Sequence, residues 1–488
     1  MPYRDLQEYI DRLEKAGELV RIADPVSADL EVTAIADRMM KSENGGKALL
    51  FENVIPVGKS EPAEFPLLIN ALGSRKRIAW ALGTEDIQEI PERMRKLLKP
   101  EIPSGFVEKI KKLPMLAELT QYPPKIVKSG SCQEVTMDPP DLGKLPIAKC
   151  WPDDGGPFIT LPQIVTKGLE HGDRNVGMYR MQQYDPVTTG MHWHLHHGGS
   201  GHFGDYNRAG KKMEVAIALG GDPALIYSAS APLPDGIDEY IFAGFIRRKP
   251  VELVQCKTLD LQVPAHADII IEGYVNPGET KVEGPFGDHT GFYSLEDNYP
   301  VFHVSAITHK KGAIYPHTIV GIPPMEDYYM GWATERIFLP LVQIVLPEVI
   351  DYYMPPAGIF HNFIFIRIKK RWPGHAFKVM NAIWGLGQLM FSKYIVVVDD
   401  WVDVQDVDEV MWVWGNHCEP ERDTITTKGP RDALDHACPL PHYGSKMGFD
   451  ATEKWPEEGH TRPWPERIVM DESVIKKMDD LWNRLGQS

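Results

Sequence analysis

Apolar residues at helical spacing open the chain. Leu6, Ile10 and Leu13 share one face over residues 3–16, and Gly17 follows as a stop. Short apolar runs at Leu19–Ile22, Ala48–Phe51 and Leu67–Ile69 alternate with charged, helix-like stretches, which predicts a small α/β unit. Residues 87–99 read as a charged helix. The stretch through Pro123-Pro124 and Pro139-Pro140 reads as a linker. From about residue 125 the texture changes to short β-branched or aromatic runs at 158–166, 176–183, 215–219, 251–256, 269–275 and 301–308, separated by Gly, Pro and Asp turns. That pattern fits an all-β sheet or barrel, and the spacing does not separate a barrel from a sandwich. After Gly321-Ile322-Pro323-Pro324 the alternation returns, with helices at 326–345 and 375–392 and buried strands at 364–368 and Tyr394–Val398. A βαβ arrangement on a largely parallel sheet follows. The end, 471–486, is an amphipathic helix striped with Val474, Met478, Leu481 and Leu485, which packs on its own domain or on a partner subunit. The expected organisation is α/β plus β: an N-terminal α/β domain at 1–122, a central β domain at 123–322 and a C-terminal α/β domain at 323–488.

A length of 488 residues suits two or three domains, each with its own core. Apolar content of 43% and charged content of 25% are those of an ordinary globular chain. A formal net charge of -16 argues against nucleic acid as the main partner and leaves room for a local anion site. The five cysteines contain no CxxC pair, so neither a disulfide framework nor a zinc ribbon is indicated. The start, Met-Pro-Tyr-Arg-Asp, lacks the apolar core of a signal peptide, and the longest apolar run, 337–350, is broken by Pro340 and Pro347. A cytoplasmic protein is expected.

Chemistry concentrates first in Glu283-Gly284-Pro285-Phe286-Gly287-Asp288-His289-Thr290-Gly291. Two carboxylates flank Gly284, Pro285 and Gly287, residues suited to a tight turn. Two acids held close together suit proton transfer, because repulsion and burial push their pKa values apart. Taken alone, the segment reads better as a polar surface turn, and the rest of the chain decides otherwise. A second cluster is Met191-His192-Trp193-His194-Leu195-His196-His197, followed by Gly198-Gly199-Ser200-Gly201. In a strand His192, His194 and His196 share one face, so they either bind a metal or line a polar pocket. The glycines would let backbone amides approach a phosphate. Arg180, in an apolar run, needs an anionic partner if buried. Asp238-Glu239 looks like the cap of a helix.

As an ordered set, Asn175-x-x-Met178-Tyr179-Arg180, Met191 to Gly199, Asp238-Glu239-Tyr240, Glu283 to Gly291 and Gly444-Ser445-Lys446-Met447-Gly448-Phe449-Asp450-Ala451-Thr452 resembles the UbiD-type decarboxylase family over nearly the whole chain. The resemblance is closest to its 3-polyprenyl-4-hydroxybenzoate branch, which serves ubiquinone synthesis. It implies prenylated FMN bound in a central split β-barrel, supplied by a flavin prenyltransferase, with its phosphate bridged by Mn²⁺ (or Mg²⁺) and K⁺ nearby. By position Asn175, His196 and Glu239 would be the metal ligands, a set that suits a hard cation on phosphate. Met178, Tyr179, Arg180, His192, Trp193, His194, His197 and Gly198 resemble the stretch that wraps the flavin, and Lys446 resembles a phosphate contact from the third domain. Two positions depart from the pattern: relatives carry arginine where His192 stands, and His194 is unusual. Asp288 matches the hydroxybenzoate branch, whereas the cinnamic-acid branch has glutamate there.

Loss of CO₂ from an sp² carbon needs an electron sink that no side chain supplies, so a cofactor must provide it. On that reading Arg180 supplies a fixed charge paired with Glu283, and Asp288 is the proton donor, with a pKa raised by burial beside Glu283. His289 either orients Asp288 or is structural. The expected function is non-oxidative (de)carboxylation of an aromatic acid. A polyprenylated hydroxybenzoate is the first substrate, with peripheral membrane association if the substrate is prenylated. Another hydroxybenzoate, a naphthoate or a heteroaromatic acid is the alternative. A flavin reductase and a non-catalytic flavin-binding protein are the other classes. A homo-oligomer, dimer or hexamer, is implied.

Overall fold

The computed structural model describes residues 2–98, 122–193, 198–233 and 236–485. The first helix, Leu6–Lys15, starts where the Asp5 side chain accepts from the Glu8 amide, and it buries Leu6, Tyr9, Ile10 and Leu13. Gly17 follows in the left-handed region at φ 71°, the stop expected there. Leu19–Ile22, Ala48–Phe51 and Leu67–Ile69 form one sheet in that order, and Tyr315–Pro316 joins its far edge. The N-terminal sheet is therefore completed by a strand from more than 240 residues downstream, since Tyr315 pairs with Leu67.

The central sheet runs Arg174–Gly177, Gln163–Lys167, Met213–Leu219, Ile269–Glu283, Asp297–His309, Thr188–Gly190, and Val135–Met137 also pairs with Asp297–His309. These pairings are antiparallel. Its core is made by the β-branched runs, with Ile217, Leu219, Ile269, Ile271 and Phe302 fully buried. The Pro-rich stretch is not a plain linker. Lys125–Val127 pairs with Glu252–Gln255, and Val135–Met137 lies at an edge of the central sheet. The prolines fall outside both short strands, so they cost no ladder hydrogen bond.

In the C-terminal domain Phe363–Ile368, Tyr394–Val398 and Tyr443–Asp450 are parallel, flanked by antiparallel Val349–Tyr353 and Thr424–Pro430. Only the centre of the sheet is thus parallel. The helix Glu326–Val345 has the predicted bounds. The second helix stops early, at Ile383, and Gly387–Phe391 continues as a 3-10 turn, because Gly387 takes φ 48°. Glu31–Met40 is one of the helix-like stretches expected between the first strands, whereas Arg75–Ala81, Gly198–Arg208, Pro223–Ser228 and Val407–His417 are not among the expected helices, Gly198–Arg208 because glycines disguise it. Among the described residues, no helix is long and apolar enough to cross a membrane.

Candidate active site

The long strand Ile269–Glu283 ends at Glu283, which lies opposite Asp297. The chain then turns through Gly284 to Asp288, and Gly287 bridges Tyr293. Neither Gly284 nor Gly287 is among the residues with positive φ, contrary to the expectation that the turn needs their dihedral freedom; Gly291 is, at φ 79°. The two glycines serve close approach instead. A Cβ on Gly284 would strike the backbone of Gly155, and one on Gly287 would strike the Trp151 indole. Asp154 ties this packing together. Its Oδ1 accepts from the Gly287 amide at 2.7 Å and its Oδ2 from the Trp151 and Cys150 amides at 2.9 and 3.1 Å. Burial pushes Asp154 up to about 6. Asp154 was not singled out in the sequence, though the Asp-Asp-Gly-Gly run at 153–156 signals the turn.

Arg180 sits between Arg174–Gly177 and Met181–Gln182, with a side chain only 9% exposed. Its Nε donates to Glu283 Oε1 at 3.0 Å, its second terminal nitrogen to Ser294 Oγ at 3.0 Å, and its first to Asp288 Oδ2. The guanidinium lies 4.5 Å from the centre of the Phe286 ring. One planar cation thus clamps both acids of the turn. His192 Nδ1 approaches the same Glu283 oxygen at 2.8 Å, and its ring packs on Tyr299. Glu283 Oε2 is buried with no hydrogen-bond partner among the described residues.

Asp288 differs from the expectation of a carboxyl group raised by burial. Burial does press upward, but the bond from His289 Nδ1 at 2.9 Å, the Arg180 charge and the His289 amide at 2.7 Å together hold it well below the ordinary carboxylate range. In this arrangement Asp288 is an anion. Burial opposes charge on His289, yet its bond to Asp288 outweighs this and lifts it to about 9. The proton therefore sits on the histidine.

The Glu239 Oε2 accepts from the Val176 amide at 2.8 Å, and burial pushes Glu239 up to about 7. Asn175 Nδ2 is buried without a partner among the described residues, and a Cβ on Gly198 would run into Asn175 Oδ1. Asp238 caps Glu239–Arg247 and pairs with Arg174 at 2.7 Å. Asn175 and Glu239 are thus brought to one place by Arg174–Gly177 and the helix start. His194, His196 and His197 lie outside the described residues. Residues 191–193 form no strand, so the alternating-face reading does not hold for His192, which turns to Glu283. Trp193 is buried against Phe203, and its Nε1 has no partner among the described residues. Tyr179 is buried and Met178 half-buried beside this wall. Lys446, on Tyr443–Asp450, is buried and pushed down to about 8 by that burial, with Arg431 adding to the effect. Its amine donates to the Met390 carbonyl inside the C-terminal domain, so the structure does not bring it to the Asn175 and Glu239 pair.

The antiparallel central domain thus carries an acid pair clamped by one arginine and, elsewhere, a carboxamide next to a carboxylate, groups suited to proton transfer and to holding a charged ligand. Three family models match, described as the N-terminal (residues 10–97), Rift-related (125–323) and C-terminal (328–451) domains of 3-octaprenyl-4-hydroxybenzoate carboxy-lyase. The chain belongs to the UbiD family of prenylated-FMN-dependent carboxy-lyases. It is 55% identical to an uncharacterized protein of Aquifex aeolicus over 99% of both chains. Its fold matches the vanillic acid decarboxylase of Sedimentibacter hydroxybenzoicus in closed form, with a TM-score of 0.85, 25% identity and 99% of each chain covered. It also matches the UbiD-class enzyme HmfF of Pelotomaculum thermopropionicum in complex with FMN, with a TM-score of 0.79, 29% identity and 96% and 97% of the two chains covered.

Proposed function

We propose that this enzyme decarboxylates, or in reverse carboxylates, a compact aromatic acid with a polar ring substituent. The observation that carries the reading is the Arg180 clamp on Glu283 and Asp288, which holds two acids and one cation in a fixed relation. The substrate class is supported by the likeness to a vanillic acid decarboxylase and by the polar face that His289, His361 and Asp432 present beside the acids. A 3-polyprenyl-4-hydroxybenzoate, named in the family description, is the rival, and a prenyl chain suits that polar face less well.

The residues present fit the implied cofactor. Asn175 and Glu239, with His196 by family position, would hold a divalent cation on the flavin phosphate: a carboxamide oxygen and a carboxylate are hard donors, and desolvation pushes Glu239 up to about 7 despite the Arg174 charge, a cost that a closer cation would offset. Tyr179 and Trp193 would line the flavin. When bound, prenylated FMN supplies the electron sink for the departing carboxylate. The chain's own task is to position the acid beside Arg180, exclude water and return one proton.

A screen of aromatic acids with cofactor-loaded enzyme tests this. Vanillate-like or other small polar aromatic acids should release CO₂ without consuming NAD(P)H. Release from a polyprenylated acid alone would establish the rival, and NAD(P)H consumption without CO₂ would make the protein a flavin reductase.

The terminal helix supports a partner of the same kind. Glu472–Leu485 buries none of its residues, and Val474, Ile475, Met478, Leu481, Trp482 and Leu485 are exposed. Each large apolar side chain that becomes fully buried is worth about 1.5–3 kcal/mol, so a second copy covering this stripe would be held firmly. Removing residues 471–488 should shift the protein to monomer in light scattering. An unchanged molar mass would return the helix to its own subunit.

A further inference from the structure

His289 has a role that the acid pair alone does not explain. Its ring faces Asp288 on its own loop, half-buried Asp327 at the start of Glu326–Val345, and His361 and Asp432 from the C-terminal domain. Phe360 stacks on it at 6.0 Å with an interplanar angle of 8°. His361 and Asp432 are 71 residues apart in sequence but meet at 3.1 Å, His361 Nε2 to Asp432 Oδ2. Arg431 makes them meet. Fully buried, it binds Asp435 beside Asp432 and donates to Asn362 Oδ1, next to His361, at 3.1 Å. Ile359 and Phe360 are both left-handed, at φ 53° and 46°, a conformation that non-glycine residues hold only when the surroundings impose it. The C-terminal domain is thus built to present this pair to His289.

We propose that His289 stores the proton that Asp288 delivers, that Asp432 keeps His289 charged, and that the Asp432–His361 pair reloads it from solvent. The inference rests on the decarboxylase reading. The balance is simple: an acid R–CO₂⁻ leaves as CO₂, and its carbon takes one proton. Asp288 is an anion at rest, so it cannot give a proton it does not hold. The proton passes from His289 Nδ1 to Asp288 Oδ1 across 2.9 Å, then from Asp288 to the carbon, leaving a carboxylate and a neutral imidazole. The neutral imidazole keeps its Nε2 proton, so the proton from solvent returns to the vacated Nδ1, through a turn of the ring toward the Asp432–His361 pair. Ligating atoms of His289, His361 and Asp432 lie within 4.8 Å of one another, a gap that one water spans. Side-chain exposure falls along the same line, from 23% and 24% at His361 and Asp432 to 17% at His289 and 10% at Asp288. Because two of these groups belong to the C-terminal domain, the store fills only when that domain meets the loop.

The test uses cofactor-loaded enzyme and three variants: His289→Asn, His361→Asn and Asp432→Asn. Asparagine at 289 still donates a hydrogen bond to Asp288 but carries no titrating proton. It should keep the flavin while slowing both CO₂ release and exchange of the product ring hydrogen in D₂O by roughly 10²-fold, the low end for a lost general acid. Wild-type exchange should fall as pH rises past about 9, where His289 loses its proton. Asp432→Asn should move that limb to lower pH, since it removes an anion that favours the charged ring, and His361→Asn should slow turnover with the flavin retained. Ring-nitrogen NMR of ¹⁵N-histidine protein, which needs no turnover, should place His289 well above an ordinary histidine. A substrate screen that fails while this titration holds would overturn the substrate reading and leave the charged histidine standing. A wild-type rate and an unchanged alkaline limb in His289→Asn, or a His289 ring neutral at pH 7, would overturn the relay. So would stoichiometric Mn²⁺ or Zn²⁺ uptake that Asp432→Asn and His361→Asn abolish, because the cluster would then be a metal site.

Discussion

Asp288→Asn should leave the cofactor bound while turnover falls by roughly 10²–10⁴-fold, the range for loss of a placed proton-transfer group. The carboxamide oxygen keeps the hydrogen bond from Arg180, so the clamp and the turn survive, and flavin absorbance should be unchanged. What disappears is the atom that passes a proton from His289 to the reacting carbon. Exchange of the ring hydrogen of the product in D₂O should vanish together with CO₂ release, since both need the same transfer. Glu283→Gln acts differently. Glu283 Oε1 receives both Arg180 and His192, so replacing the carboxylate loosens the cation and should impair an earlier step, with exchange of bound product partly retained. Near-normal exchange in Asp288→Asn, with its loss in Glu283→Gln alone, would make Glu283 the donor and exchange the two roles.

Glu239→Ala should lose both Mn²⁺ and most of the flavin, measured by metal analysis and by absorbance of the purified protein. Glu239 is half-buried, accepts one backbone hydrogen bond and is pushed up to about 7 by desolvation, a cost that a bound cation would offset. Asn175 stands one residue from the amide that Glu239 binds and carries a carboxamide oxygen, a hard donor. A phosphate facing that wall without its cation would be an uncompensated buried anion. Removing the carboxylate should therefore cost the phosphate its place. Glu239→Gln should show the same loss to a smaller degree, since an amide oxygen is a weaker ligand for a hard ion. Full flavin occupancy in metal-free Glu239→Ala would detach this pair from the cofactor.

Much of this was legible in the chain. The terminal and C-terminal helices, the β-branched strands and the three-part division follow from apolar period and turn residues, because each element is decided by neighbours a few positions away. The ordered motifs pointed to the family for a similar reason: each is a short stretch whose residue types are its chemistry. The structure changed the readings that depend on distant neighbours. Gly284 and Gly287 prove to be sites of close packing against Gly155 and Trp151, contacts no local pattern records. Asp288 reads as a raised acid beside Glu283, but Arg180, 108 positions earlier, and His289 hold it as an anion. His192 meets Glu283, 91 positions on, a contact that alternation along a strand does not record. His361 and Asp432 carried no motif, and Arg431 places them against His289 only once the C-terminal domain has folded. Local period and residue type settle what an element is and which chemistry is present. The protonation state of that chemistry is set by charge and burial, and only the tertiary fold decides which charges become neighbours.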